Sequence, residues 1–226
     1  MKEGDIMKLS VILTGATGMV GEGVLHECLL HHNVERVLVI NRKPCGVAHP
    51  KLTEIVHSDF FDLSAYAAQL TGYNACFFCL GVSSLGMSEA EYSKVTHDLT
   101  LSVAALLSDL NPEMVFCYVT AGGTDSTEQG KSMWARVKGR TENDLLKLPF
   151  KAAHMFRPGY IHPIKGLNNA HRYYAAFMWL YPVLRRIIPK HAVSLSELGR
   201  AMINIASSNS PSSILNCEDM VRTAKT

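Results

Sequence analysis

Three glycines recur at intervals of three residues near the start of the chain, in the segment Thr14-Gly15-Ala16-Thr17-Gly18-Met19-Val20-Gly21. This segment lies between an apolar stretch that predicts a strand and a stretch that predicts a helix. Gly15 can turn the chain tightly, Gly18 lets the backbone approach a pyrophosphate, and Gly21 lets the helix pack closely on the strand. The helix N-terminus adds free N–H donors and partial positive charge. The turn therefore predicts a dinucleotide site formed by Gly15 and residues 17–21, with a purely structural turn as the alternative.

The end of the next predicted strand indicates which dinucleotide binds. An acidic residue there would accept hydrogen bonds from the ribose 2′-hydroxyl of NAD, but this chain has Asn41-Arg42-Lys43. Arg42 can hold a 2′-phosphate through its planar fork of donors, and Asn41 brings no negative charge to repel it. The pattern favours NADP and leaves NAD possible. The alternative is that Arg42 and Lys43 are solvated loop residues.

Short apolar stretches alternate with helical stretches along the chain. We predict strands at 8–13, 36–40, 53–56, 75–80, 114–119 and 152–156, with helices at 19–31, 63–70, 88–110 and 131–147. This alternation is typical of an α/β fold, a doubly wound, Rossmann-like parallel sheet with helices on both faces. After Pro158 the strand signal fades, and we predict helices near 168–187 and 195–208. Residues 1–226 are therefore expected to form one domain, with a small substrate-side helical region at about 160–226.

Composition excludes several classes of protein. The 226 residues are 47% hydrophobic and 19% charged, which is too apolar for a disordered or fibrous chain. The net charge of +2 gives no general field for nucleic acid. The most apolar run, Ala175 to Leu184, is much shorter than the roughly 20 residues that span a bilayer, so we expect a packing or interfacial helix and no stable membrane insertion. The cysteines are scattered and the chain shows no recognisable leader, which predicts a cytoplasmic protein. We further expect a monomer or homodimer that acts on a small molecule.

Taken with the glycine turn, Lys138 and the segment Arg157-Pro158-Gly159-Tyr160-Ile161 carry a family resemblance. The chain resembles the extended and atypical short-chain dehydrogenase/reductases over about residues 8–205. Within them it is most similar to the epimerase/dehydratase-like and Tat-interacting-protein-like branches. The resemblance implies a Rossmann fold and a nicotinamide dinucleotide.

Three further cofactor contacts follow from that resemblance alone. Asp59, in Ser58-Asp59-Phe60, matches the acid that binds the adenine amine. Cys79-Leu80-Gly81 matches the segment beneath the adenine ribose. Pro158, Gly159, Tyr160 and Ile161 match the turn that contacts the nicotinamide carboxamide.

The catalytic set of that family is only partly present. It comprises a Ser or Thr after the fifth strand and a Tyr four residues before a Lys, so that the ammonium lowers the pKa of the phenol on the same helical face. The matching segment here is Trp134-Ala135-Arg136-Val137-Lys138, with tryptophan in place of tyrosine. An indole N–H donates a hydrogen bond but cannot exchange a proton near neutral pH. Thr120 and Thr124 both remain candidates for the hydroxyl.

Several other residues have a structural explanation beside a functional one. Tyr160, Tyr92 or His97 could supply the missing proton, although packing or surface roles explain each. Cys76 and Cys79 are expected on opposite faces of a strand, which argues against a disulfide or metal pair, and the histidines do not converge on a metal site. Five aromatic residues lie close together in the sequence, namely Tyr173, Tyr174, Phe177, Trp179 and Tyr181. They either cover a substrate pocket or pack in the core or in a dimer interface.

These observations lead to two expectations about function. The first is an NADP-binding oxidoreductase or epimerase-like enzyme that acts on a small carbonyl or hydroxyl substrate, with Lys138 fixing the nicotinamide ribose and a threonine polarising the oxygen. The second is a non-catalytic, NADP-dependent regulatory or protein-binding module. Trp134 is the feature that favours the second.

Overall fold

Seven parallel strands form the main sheet of the computed structural model, which describes residues 8–167, 169, 181, 186, 189–208 and 210–226. The spatial order is β3-β2-β1-β4-β5-β6-β9, and β7 pairs in parallel with β8 in a separate two-stranded sheet. The strands are β1 (Leu9–Thr14), β2 (Val34–Asn41), β3 (Leu52–Val56), β4 (Ala75–Phe78), β5 (Val115–Val119), β6 (Ala152–Arg157), β7 (Tyr160–His162), β8 (Ala192–Ser194) and β9 (Ile214–Asn216).

Helices connect these strands and cover both faces of the sheet. They are α1 (Met19–Leu30), α2 (Ala67–Leu70), α3 (Glu89–Ser93), α4 (Leu99–Leu110), α5 (Met133–Leu145), α6 (Leu195–Ala206) and α7 (Cys217–Thr223). Short 3₁₀ turns occupy Ser64–Tyr66 and Pro189–His191, and a π-helical segment, Lys94–Asp98, joins α3 to α4. The single helix expected at 88–110 is therefore three consecutive segments. Its start at Ser88 is fixed by a capping box with Glu91.

The central strands are mostly apolar because each face of the sheet is covered. In β1, Val11 and Leu13 pack in one buried cluster with side chains of α1 and α6, whereas Ile12 packs in the other with side chains of α4. Cys76 and Cys79 follow the same alternation and lie in different clusters. The doubly wound Rossmann-like architecture predicted from the sequence is confirmed.

The order of the strands determines where a ligand can bind. From β1 the chain crosses to β2 on one side, and β4 returns to pair with β1 on the other side. Such a topological switch point leaves a crevice at the carboxyl ends of the two central strands. The glycine turn begins directly after β1, so it opens into this crevice.

The prediction for the last third of the chain was incomplete. Beyond Pro158 it contains strands as well as the predicted helix at 195–208, which is observed as α6, and β9 extends the main sheet beside β6. Strands of three residues are too short to show a period of two in the sequence, which is why they were missed. Apart from Asn169, Tyr181 and Arg186, residues 168–187 lie outside the described residues. The helix expected there and the role of its aromatic residues therefore stay predictions.

Candidate functional site

The glycine turn forms the first wall of the crevice. Gly15 has a φ of +79°, and a Cβ there would lie 2.8 Å from the Cys79 carbonyl oxygen. A Cβ on Gly21 would lie only 2.1 Å from the Gly15 carbonyl oxygen. By contrast, a Cβ on Gly18 would meet that same oxygen at 3.5 Å, an ordinary contact. The fold therefore requires Gly15 and Gly21 to be glycines, whereas no contact with the described residues requires Gly18 to be one.

Gly18 stands at the N-cap of α1 and is exposed together with Thr17, whereas Met19 and Val20 are partly buried against the core. Because a glycine has no side chain, Gly18 cannot cap the helix. The first N–H groups of α1 therefore have no carboxylate or hydroxyl from the N-cap residue as a partner. This is the arrangement that an anion at a helix N-terminus needs. The residues of the turn therefore fit a pyrophosphate.

Asn41 links the glycine turn to the second and third strands. Its side-chain oxygen accepts a hydrogen bond from the Ala16 N–H at 3.2 Å, and its side-chain amide donates to Glu54 Oε1 at 3.0 Å. The same carboxylate oxygen accepts from the backbone N–H of Cys45 at 2.9 Å, which closes the loop that carries Arg42. The Asn41 side chain is 2% exposed, so its amide oxygen is committed to the turn. Sequence patterns missed Glu54, because its partner lies thirteen residues earlier on the neighbouring strand.

A cleft of about 190 Å³ lies beside the glycine turn, where the adenine of a dinucleotide would be expected. The structure brings together residues that the sequence named separately, since Arg42, Asp59, Phe60, Leu80 and Gly81 all line this cleft. The Asp59 carboxylate accepts the Phe61 N–H at 2.9 Å, which fixes its orientation. The Cys79 N–H donates to the Thr14 carbonyl at 3.3 Å and joins this cleft to the glycine turn.

The candidate catalytic hydroxyls lie after β5 and bond to each other. Thr120 Oγ1 and Thr124 Oγ1 are 2.9 Å apart, and the Thr124 hydroxyl also donates to the Ala121 carbonyl at 2.8 Å. Because a hydroxyl has one proton, Thr124 accepts from Thr120 in this arrangement. Both threonines are 7% exposed.

The loop after β5 packs on the N-terminal half of α5, which carries Trp134 and Lys138. The Asp125 N–H donates to the Ala135 carbonyl at 3.1 Å, and a Cβ on Gly123 would lie 3.3 Å from the Trp134 ring. Trp134 and Lys138 are separated by one helical turn and share a face of α5. The threonine loop and that helical face are thus neighbours.

Lys138 is partly buried, and its ammonium donates no hydrogen bond to any of the described residues. Burial lowers the pKa of this ammonium to about 8, while the Glu142 carboxylate opposes the shift. A lysine whose ammonium makes no hydrogen bond within the described part of the chain fits the role of donor to ribose hydroxyls.

The segment after β6 lies beside the loop that follows β5, where the family resemblance predicts the nicotinamide contact. The Gly122 N–H donates to the Pro158 carbonyl at 2.7 Å, and a Cβ on Gly159 would lie 2.4 Å from the His191 carbonyl oxygen. Ile161 is buried, and the Tyr160 ring lies 6.5 Å from that of His162. Residues 158–161 are therefore held between the loop after β5 and the residues around β8.

A family model for NAD dependent epimerases and dehydratases matches residues 11–134, which include most of β1, all of β2 to β5, the glycine turn and Trp134. This chain belongs to the NAD dependent epimerase/dehydratase family. The match covers more than half of the chain and confirms the resemblance on which the sequence predictions rest. Lys138 and residues 158–161 lie beyond the matched range.

Curated relatives of this family member come from fungi and a mammal. Protein fmp52-1, mitochondrial, of Aspergillus terreus is 29% identical over 181 residues, which cover 74% of this chain and 75% of that protein. Protein HTATIP2 of Rattus norvegicus is 26% identical over 154 residues, or 67% of this chain and 62% of that protein. The chain thus spans between 62% and 75% of the lengths of these two relatives.

Solved structures show the same fold at low sequence identity. The Bordetella bronchiseptica enzyme WbmF in complex with NAD⁺ has a TM-score of 0.64 at 15% identity, covering 98% of this chain and 79% of that one. The UDP-N-acetylglucosamine 4-epimerase of Methanobrevibacter ruminantium, in complex with UDP-N-acetylmuramic acid, has a TM-score of 0.66 at 14% identity, covering 96% and 81%. These neighbours confirm the Rossmann-like fold of the family in this chain.

The expectation of a cytoplasmic protein was wrong, because the Aspergillus relatives of this epimerase/dehydratase family member are named as mitochondrial proteins. The six cysteines are unpaired, but free thiols are compatible with more than one compartment and so could not decide the location. In the part of the chain that the structure describes, no helix has the length and apolarity needed to cross a membrane.

A buried ion pair beside Lys138 on α5 was missed from the sequence. Glu142, which is 1% exposed, accepts two hydrogen bonds of 3.1 Å from Arg157 Nε and a further one from Arg157 Nη2. Arg157 Nη2 also donates to Ser126 Oγ at 2.5 Å. The pair ties α5 to the end of β6. Glu142 could have been found from the sequence, because it lies four residues after Lys138 and so on the same face of the predicted helix.

A larger cleft, of about 380 Å³, lies at the carboxyl ends of β5, β6 and β9. Sequence reasoning did not find it, because its walls come from four separate parts of the chain. It adjoins the glycines that follow Ala121 and the turn at Gly159. Its lining comprises Gly122, Gly123, Arg157, Gly159, Lys190, His191, Asn216 and Glu218.

Two of the alternative proton donors have other structural partners. Tyr92 is 1% exposed in the core and bonds to Thr96, and its burial raises the pKa of the phenol. His97 lies between two carboxylates, with Nδ1 2.7 Å from Asp98 and Nε2 2.9 Å from Asp144. Within the described ranges, no three histidine, cysteine or acidic side chains are grouped to hold a metal ion.

Proposed function

We propose that this protein binds NADP and uses it as an oxidoreductase on a small carbonyl or hydroxyl substrate. The observation that carries the proposal is the convergence at the switch point between β1 and β4. There the exposed N-terminus of α1 lies beside the cleft lined by Arg42 and Asp59. A crevice of this kind is where open α/β sheets bind nucleotides.

The residues fit each part of the cofactor. The N–H groups that follow Gly18 would hold the pyrophosphate, and Asp59 would accept from the adenine amine. Leu80 and Gly81 would lie beneath the adenine ribose, while Lys138 would donate to the nicotinamide ribose. When bound, the nicotinamide supplies or accepts a hydride.

The preference for NADP is supported by Arg42, which lines the adenine cleft. A guanidinium can bind a 2′-phosphate through charge-assisted hydrogen bonds. Asn41 acts here through its contacts, since it connects the glycine turn to the Glu54 carboxylate that also holds the Cys45 N–H. In this proposal Asn41 positions the adenosine-binding loop, and Arg42 recognises the phosphate.

The substrate end is formed by Thr120, Thr124 and Trp134 near the nicotinamide turn. Thr120 can polarise a substrate oxygen if it releases its hydrogen bond to Thr124, and the Trp134 indole N–H can orient the same oxygen. An uncharged carbonyl or hydroxyl compound is the substrate class that such donors serve. The larger cleft beyond Gly123 provides room for it.

A second candidate function is a non-catalytic, NADP-dependent binding module. The presence of Trp134 in place of the family's tyrosine favours it, because an indole cannot exchange a proton near neutral pH. Both candidates require the nucleotide site, so only turnover separates them.

The experiment that tests the first candidate has two stages. Calorimetric titration with NADPH and NADH measures binding, and NADPH oxidation is then followed with a panel of aldehydes, ketones and quinones. The proposal expects tighter binding of NADPH and oxidation with at least one class of carbonyl. Tight binding with no oxidation across the panel would support the binding module instead.

A further inference from the structure

We propose that Lys138 itself donates the proton to the substrate oxygen, in place of the tyrosine that Trp134 replaces. The proposal rests on the oxidoreductase function proposed above. It departs from the family pattern, in which the lysine assists a tyrosine and does not transfer the proton. The structure supplies two arguments for it, namely the commitments of the neighbouring protons and the surroundings of Lys138.

The two candidate hydroxyls after β5, Thr120 and Thr124, already donate their protons to other groups of the protein. The Thr124 hydroxyl donates its proton to the Ala121 carbonyl at 2.8 Å, and the Thr120 hydroxyl donates its proton to Thr124 Oγ1 at 2.9 Å. Neither hydroxyl is acidic enough to lose a proton near neutral pH, so each can orient an oxygen without protonating it. The Trp134 indole has the same limit.

Two of the titratable side chains named as alternatives, Tyr92 and His97, have other partners, and the third, Tyr160, differs from Lys138 in the direction of its pKa shift. Tyr92 is enclosed in the core against Thr96, and His97 is held between the carboxylates of Asp98 and Asp144. Tyr160 follows β6 and lies among aromatic rings, with burial raising the pKa of its phenol. A phenol with a raised pKa and a lysine with a lowered pKa predict different pH profiles, so Tyr160 can be tested against Lys138.

Lys138 has the position and surroundings that a proton donor needs. It lies one helical turn after Trp134, on the face of α5 that meets the loop after β5. Its ammonium donates no hydrogen bond to the described residues, so its protons are available. The charged group that interacts with it electrostatically is the Glu142 carboxylate, one helical turn further along α5. That carboxylate also accepts hydrogen bonds from Arg157 of β6.

Desolvation then makes this ammonium a useful acid. Burial lowers the pKa of Lys138 to about 8, against an ordinary value of 10.5, because the charged form loses its hydration. General acids work best when their pKa lies near the operating pH. An ordinary surface lysine would be too weak an acid for this role.

The step balances with Lys138 as the only proton source. The carbonyl carbon receives a hydride from the reduced nicotinamide, and the π electron pair of the C–O bond moves onto oxygen. That oxygen takes a proton from Lys138 Nζ, which leaves a neutral amine. Water reprotonates the amine before the next turnover, and in the oxidative direction the neutral amine accepts the proton.

The first test measures the acidity of Lys138 without turnover. Lys138→Met replaces the ammonium with an apolar end of similar size, and Lys131→Met is the control at an exposed lysine near the start of α5. Below pH 8 the parent should have a lower Tm than Lys138→Met, because the parent must bury a charge. The difference should shrink as pH rises from about 8 towards 10.5, where the folded protein loses the proton before the unfolded chain does. A difference that is constant up to pH 10 would overturn the proposal.

The second test uses Lys138→Arg, which keeps the positive charge and the donors but cannot release a proton. NADPH affinity measured by calorimetry should stay within about threefold of the parent, while kcat falls by about 10²-fold or more, the usual contribution of a general acid. Adding Trp134→Tyr to Lys138→Arg should restore turnover, since the new phenol has a cation beside it. Full turnover by Lys138→Arg would overturn the proposal, as would a parent kcat that stays flat from pH 7 to pH 10.

The two proposals fail in different ways. If the parent binds NADPH but reduces no carbonyl in the panel, the oxidoreductase function fails, and the titration of Lys138 by Tm still reports whether its ammonium is acidic. If the parent turns over and Lys138→Arg does so equally well, the function stands and only the role of Lys138 is wrong.

Discussion

The contrast between Gly18 and Gly21 gives the sharpest test of the nucleotide site. In Gly18→Ala the new Cβ meets only the Gly15 carbonyl oxygen, at 3.5 Å, and the backbone φ of −104° suits any residue. Losing the glycine N-cap costs stability, while a less flexible unfolded chain restores about 0.4–1 kcal/mol. The free energy of unfolding should therefore change by less than about 1 kcal/mol.

Binding should respond much more strongly than folding. The Cβ of Gly18→Ala projects where a pyrophosphate would approach the N–H groups of α1. Each hydrogen bond to a charged group is worth about 1.5–3 kcal/mol, so losing one weakens NADPH binding by about 10- to 150-fold. Gly21→Ala is the matched contrast, because its Cβ would lie 2.1 Å from the Gly15 carbonyl oxygen. That overpacking should cost about 1–3 kcal/mol or more of folding stability.

Calorimetry with NADPH and thermal unfolding separate the two effects. Gly18→Ala should keep nearly the parent Tm and lose affinity, whereas Gly21→Ala should lose Tm by about 2–4 °C for each kcal/mol of destabilisation. If Gly18→Ala binds NADPH as tightly as the parent does, the phosphates bind elsewhere and the reasoning from the turn is refuted.

Three further changes test other parts of the site. Arg42→Ala should lower the NADPH-to-NADH affinity ratio by about 10- to 150-fold, with Lys43→Ala as the control, and an unchanged ratio would contradict the assignment of the 2′-phosphate. Glu142→Gln leaves the Arg157 charge without its buried partner and should cost about 3–5 kcal/mol in thermal or urea unfolding, whereas a wild-type Tm would show that the pair contributes nothing. Trp134→Tyr should raise carbonyl reduction above pH 8, where the Lys138 ammonium with its pKa of about 8 is mostly neutral, and a slower variant across the whole pH range would show that the phenol is misplaced.

The sequence predicted the parts of the fold and site that depend on local patterns. Strand, turn and helix around Gly15 to Gly21 follow from residue spacing. The structure places Arg42, Asp59 and Gly81, which the sequence named separately, around one cleft, and their contacts with a cofactor stay predictions. These residues follow strand ends, which a parallel sheet brings to one edge.

What the sequence did not predict depends on contacts between distant residues. The Asn41–Glu54 bond joins two strands, and the Glu142–Arg157 pair joins a helix to a strand, so neither follows a helical or strand period. The strand β9 is too short to show a pattern, yet it forms one wall of the larger cleft through Asn216. Only the packed structure reveals that Lys138 is partly buried without a partner among the described residues.

Transfer of isotope from the cofactor is the most direct measurement of the proposed oxidoreductase function. The protein is incubated with NADPH carrying deuterium at the transferable position of C4 and with the aldehydes and ketones of the panel, and the products are analysed by mass spectrometry. An end-point measurement also detects slow turnover. The account predicts an alcohol with one deuterium on its carbinol carbon, formed by the parent and, in the same time, in much smaller amount by Lys138→Arg. Saturating NADPH binding with no deuterium in any product would contradict it.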